Sequence, residues 1–102
     1  MEKYYNDKEE VAVLYSPKYG AGWYSWNEGI KDIVFDKRIV QMILDGNTVT
    51  HEFMENLGYD GYWGGAKNLA IEWLPKGTIF EIEEYDGYES VHVLGTRSYL
   101  EA

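Results

Sequence analysis

The spacing of apolar side chains changes period near residue 58, and that change restricts the chain to folds that mix helix with antiparallel sheet. Before it, Ile39, Val40, Ile43 and Leu44 recur at helical spacing. Asp36 stands where a helix N-cap belongs, and Asp45-Gly46 ends the run. Val49, Phe53, Met54 and Leu57 make a second stripe, with Asn47 or Thr48 as its cap and Gly58 as its stop. After it the period is two. Leu69, Ile71 and Trp73 alternate with Ala70, Glu72 and Leu74. Thr78 to Tyr85 and Tyr88 to Leu94 form two further strands about an Asp86-Gly87 turn, with Pro75-Lys76-Gly77 turning the chain before them.

Residues 69–94 are therefore expected to form a three-stranded antiparallel meander. Upstream, Val11-Ala12-Val13-Leu14-Tyr15 is apolar without alternation, the pattern of a strand covered on both faces. The expected class is α+β: a mostly antiparallel sheet, made of the N-terminal strand and the meander, with two short helices on one face. At 102 residues the chain reads as one domain. Residues 1–10 would be a flexible arm or an edge segment, 11–94 the folded core, and 95–102 a tail or a short extra element. Tyr-Asp-Gly-Tyr occurs at 59–62 and again at 85–88, but nothing around the two copies matches, so these are two similar turns.

Charge narrows the function. Eighteen acidic residues against nine basic ones give a formal net charge of −9. Nucleic-acid affinity rests largely on neutralising phosphates, so direct nucleic-acid binding is not expected. An acidic surface can instead dock on a basic one, including one that normally holds nucleic acid, or surround a local pocket of different field. The chain has no cysteine, which removes disulfides, thiolate metal sites and a cysteine nucleophile. The start is polar and the longest apolar run is Val11 to Tyr15, so neither a secretory signal nor a membrane span is expected. A soluble, cytoplasmic protein follows as the expectation.

The candidate site is aromatic. Tyr19 to Trp26 carries four rings and two glycines, and Asn27 follows. Tyr59 to Lys67 is a second loop of the same composition, Tyr62-Trp63-Gly64-Gly65 at its centre. One reading is a ligand pocket. Trp23, Tyr24, Trp26 and Trp63 would stack on a nucleobase. Gly20 and Gly22 would present backbone N–H groups to a phosphate. Tyr19, Ser25 and Asn27 would add polar contacts, and Lys18 or Lys67 a positive charge. The other reading is that the rings fold back to close a small core, and the glycines serve tight turns.

Catalytic chemistry is thin. His51-Glu52 lacks the second histidine of a zinc-protease helix, and His92 has no acidic residue at metal-ligand spacing. Gly20-Ala21-Gly22 has serine where a dinucleotide fingerprint needs its third glycine. No serine lies in a nucleophile elbow. Neither a metal nor a cofactor is expected. Glu81, Glu83, Glu84, Asp86 and Glu89 form an acidic run that strand alternation assigns to a solvated outer face, and that face is a candidate protein-binding surface.

Three stretches resemble a family of small proteins found in phage and prophage genomes. They are Val11 to Pro17 with Tyr19-Gly20-Ala21-Gly22-Trp23 and Trp26-Asn27; Phe35-Asp36; and Ile71 to Thr78 running into Glu84-Tyr85-Asp86-Gly87. The resemblance implies a phage setting and no particular activity. It makes a non-enzymatic counter-defence protein in the cytoplasm of an infected bacterium the expectation. Such a protein would sequester a nucleotide-derived immune signal, two or more copies completing the pocket. Alternatively, it would dock its acidic face on a basic surface of a host defence protein.

Overall fold

A computed structural model describes residues 2–18, 22–27, 30–85, 88–93 and 100–102. Its strands are β1 (Glu10–Tyr15), β2 (Ala70–Pro75), β3 (Ile79–Tyr85), β4 (Tyr88–Val93) and β5 (Leu100–Glu101). Two helices, α1 (Lys37–Leu44) and α2 (His51–Asn56), lie between β1 and β2. Single 3-10 turns occur at Tyr24–Trp26, Lys31–Val34 and Ala66–Asn68. The class is α+β, as the change of period requires.

Strand β1 organises one half. Val11, Ala12, Val13 and Leu14 are fully buried, so this strand needs cover on its faces and partners on its edges. Strand β2 pairs with it antiparallel, Val11 opposite Leu74 and Val13 opposite Glu72. On the other edge the Ala12 N–H donates to the Tyr4 carbonyl at 3.0 Å, and Tyr5 bridges Val11. Tyr4 and Tyr5 thus supply an edge segment beside β1.

The expected meander is divided. β2 belongs to a two-stranded sheet with β1, while β3 sits between β4 and β5 in a separate three-stranded sheet. The division happens at Pro75-Lys76-Gly77. Gly77 has φ +87, a conformation strained for any side chain, and its N–H donates to the Ala102 carbonyl. The Ala102 N–H in turn donates to Thr78 at 2.8 Å. Residues 100–102 therefore take the edge of β3 that a hairpin would have given to β2. Alternation marks a strand but does not name its neighbour. Residues 94–99 lie outside the described ones.

The helices follow their stripes. Ile39, Val40 and Met54 are fully buried, as are Ile33 and Val34 in the turn before α1. The cap of α2 is Thr50, whose hydroxyl accepts from the Phe53 N–H at 3.1 Å. It displaces the expected Asn47 or Thr48, because Asn47 donates to Met42 and finishes α1. Asp36 caps α1 and is fully buried. Its carboxylate accepts from the Arg38 N–H at 2.9 Å, from Arg38 Nε at 3.1 Å and Nη2 at 2.7 Å, and from the Tyr59 hydroxyl at 2.6 Å. Burial alone would raise the Asp36 pKa, but these donors together hold it below the ordinary carboxylate value. Burial and the Asp36 carboxylate both push Tyr59 up.

A depressed carboxylate stabilises the fold above its unfolded pKa of about 3.9 and loses that contribution as pH falls through the folded value. Asp36→Asn is therefore expected to lower the urea midpoint at pH 7, with the gap from wild type narrowing from about pH 4 downward. In the core, Phe80 is fully buried and meets Phe35 edge-on at 6.1 Å. Phe80→Ala is expected to cost about 3–5 kcal/mol in urea denaturation, whereas Val93→Ala, at an exposed position, should stay within about 0.5 kcal/mol.

Candidate functional site

Strand pairing sets up the site. Phe80, Ile82 and Glu84 lie on one face of β3, and their partners across the ladder are Val93, Val91 and Glu89. Glu89 therefore shares a face with Phe80 and points inward, and it is 2% exposed. A buried carboxylate needs donors, and Glu89 has three. The Ser16 N–H reaches Oε1 at 2.9 Å, and the Ser25 N–H and hydroxyl reach Oε2 at 2.8 and 2.7 Å. The Glu89 N–H also donates to the Ser16 carbonyl at 2.8 Å. One residue of β4 thus fixes the end of β1 and the tryptophan-rich loop together. From there Ser16 Oγ donates to the Gly65 carbonyl at 3.0 Å, and the Gly65 N–H to Gly22 at 3.2 Å.

The two aromatic loops do come together, but mostly to pack. Trp23 is fully buried and Trp63 nearly so, with ring centroids 5.3 Å apart at 58°. Both indole N–H groups lack a hydrogen-bond partner, at a cost of about 1–3 kcal/mol each. Burying roughly 200 Å² per ring at about 25 cal/mol per Å² returns around 5 kcal/mol, so packing wins. These two rings close the core. Gly22 is buried beneath the Tyr62 ring, which occupies the space a Cβ would need at both Gly22 and Gly64. The missing side chain at Gly22 allows the close approach of that ring. Asn27 stitches the loops: Nδ2 donates to the carbonyls of Trp23 at 2.8 Å and Tyr62 at 2.7 Å, and Oδ1 accepts from the Tyr62 N–H at 3.1 Å.

Trp26 is different. It is 61% exposed and lies 5.5 Å from Tyr62, itself 55% exposed. Beside it is a cleft of about 440 Å³ lined by Ser25, Trp26, Ile82 and Glu84. Tyr24 is half-buried against the core. Lys18 and Lys67 are exposed, and neither lines this cleft. Tyr19 and Gly20 lie outside the described residues. Of the expected pocket members among the described residues, Ser25 and Trp26 line this cleft and the others do not. Trp23, Trp63, Gly22 and Asn27 hold the loops, and Trp26 and Ser25 border open space. A larger groove of about 720 Å³ runs between α1 and α2 over Met42, Phe53 and Leu57, and the sequence gives it no signal beyond the two helical stripes.

The acidic run also divides. Glu83 and Glu84 are exposed and Glu81 is half-exposed, but on opposite faces of β3. Glu89 leaves the proposed acidic surface altogether, because pairing across the turn puts it on the core face. Asp86 lies outside the described residues. On the outer face His92 has an acidic neighbour that sequence spacing could not show: its Nε2 lies 3.6 Å from Glu83 and 3.0 Å from Ser90 Oγ.

Among the described residues no helix is long and apolar enough to cross a membrane. Comparison of the chain with protein-family models, curated proteins and solved structures gave no match.

Replacing the Glu89 carboxylate should loosen this end of the molecule. Glu89→Gln keeps the volume but turns one acceptor into a donor facing Ser16 or Ser25. It is expected to destabilise the protein by about 1.5–3 kcal/mol in urea denaturation. Glu83→Gln, on the outer face, should change stability by less than about 0.5 kcal/mol.

Proposed function

We propose that this protein is a non-enzymatic binding protein that docks its acidic, aromatic end on a basic surface of a partner protein. One observation carries the reading. Trp26 and Glu84 border the same open cleft, and no cationic side chain lines it among the described residues. Beside Trp26, Tyr62 is also exposed. Exposed tryptophan and tyrosine are the side chains that anchor protein interfaces. A net charge of −9 steers such a surface toward positive partners and away from phosphate. The resemblance to small phage and prophage proteins makes a host defence protein the candidate partner, through a surface that otherwise holds nucleic acid.

Sequestration of a nucleotide-derived signal is the second reading. The open Trp26–Tyr62 pair favours it, since exposed rings stack on bases. It needs Lys18 or Lys67, or a second copy of the chain, to meet the phosphate.

The two readings separate in one set of titrations. Nine-residue lysine and arginine peptides should bind at low ionic strength and weaken as salt rises. Glu84→Lys should abolish binding. Glu83→Lys, the same charge change on the opposite face of β3, should retain most of it. Equal loss in both variants, or no binding by wild type, rules out a docking face at this end. Cyclic dinucleotides and ADP-ribose derivatives should leave tryptophan fluorescence and melting temperature unchanged, and a response from any of them favours sequestration.

A further inference from the structure

We infer that the cleft between Trp26 and Glu84 is a receptor for one arginine side chain of the partner, an inference that rests on the docking reading above and names what it recognises. The hydrogen-bonding character of the walls selects this occupant. Ser25 lines the cleft, but its hydroxyl proton is committed to Glu89 Oε2 at 2.7 Å. What its oxygen has left to offer is an acceptor. The Glu84 carboxylate is a second acceptor with a full charge. The backbone donors of this turn are also turned inward. Ser25 N–H goes to Glu89, Trp26 N–H to the Trp23 carbonyl at 3.3 Å, and Asn27 N–H to the Tyr24 carbonyl at 2.9 Å. Among the described residues, and apart from the Trp26 indole N–H, the polar side-chain atoms lining the cleft accept. Ile82 supplies an apolar floor and Trp26 a flat ring.

A complementary occupant is flat, cationic and rich in donors, with no acceptor of its own. Guanidinium has five N–H donors in a plane, stacks on aromatic faces and matches a carboxylate with two parallel bonds. Phosphate, an acceptor with negative charge, is opposed at each of these points. An ammonium satisfies the charge but not the plane. The buried Glu89 is a positioning residue here: it fixes the direction of the Ser25 hydroxyl and the course of the backbone that carries Trp26.

Affinities of nine-residue arginine and lysine peptides, measured by calorimetry at the same ionic strength, test this. Wild type should favour the arginine peptide by about tenfold or more. Trp26→Ala and Trp26→Leu should each bring the two peptides to near equality while binding of the lysine peptide changes less than about threefold. Glu84→Gln should lower arginine-peptide affinity at least as much as it lowers that for lysine. Far-ultraviolet circular dichroism identical to wild type shows that each variant is folded; Trp26 and Glu84 are exposed, so this is expected. Equal affinity for both peptides in wild type overturns the arginine receptor and leaves the docking face standing. So does an arginine preference that survives both Trp26 substitutions. GMP displacing the arginine peptide assigns the cleft to a guanine edge instead. Binding of neither peptide removes the docking reading itself.

Discussion

A carboxylate buried at 2% exposure holds this end of the molecule together. Glu89 belongs to the three-stranded sheet, yet its partners are Ser16 at the end of β1 and Ser25 in the aromatic loop. β1 and β4 share no ladder, so this side chain and its own backbone N–H make the polar link between the two sheets here. Three donors on one carboxylate are what make its burial tolerable. They also decide what the neighbouring surface can do. By taking the Ser25 hydroxyl proton, Glu89 leaves the Ser25 oxygen facing the cleft beside Trp26 as an acceptor.

The same clamp explains why two loops with the composition of a pocket are mostly structural. Once Ser16 and Ser25 are fixed, Gly65 is carried toward Gly22, and Trp63 toward Trp23. Asn27 then has its amide engaged with both loops. A chain of 102 residues has little apolar volume to spare, and two tryptophans complete the core at the expense of two unpaired indole N–H groups. Trp26 and Tyr62 are the rings of the two loops that stay more than half exposed.

Much of this was legible in the residues. Asp36 as a cap, Gly46 and Gly58 as stops, and the strands after Gly58 all follow from local rules that hold in most contexts. The proximity of the two aromatic loops was also a fair inference from their matching composition. What the sequence did not carry was pairing. Nothing local says that β2 joins β1, or that residues 100–102 take the edge of β3. The misassignment of Glu89 has a narrower cause. Counting alternation along β3 alone puts Glu81 and Glu83 outward, and acids nearby look like more of the same. Carrying the register across the Tyr85–Tyr88 pair would have placed Glu89 opposite Glu84 on the face of Ile82 and Phe80. Which tryptophans would be buried was not legible, because Trp23 is buried by a long-range partner, Trp63, that the local sequence does not name.

Amide hydrogen exchange at Ser25 tests that clamp most directly. Ser25 lies in a single 3-10 turn with exposed Trp26 next to it, where a loop amide would normally exchange quickly. Bonded to a buried carboxylate, its N–H is expected to be protected to nearly the level of the β1 amides, and to lose that protection in Glu89→Gln. Exchange of the wild-type Ser25 amide at the rate of an unstructured loop would contradict the account.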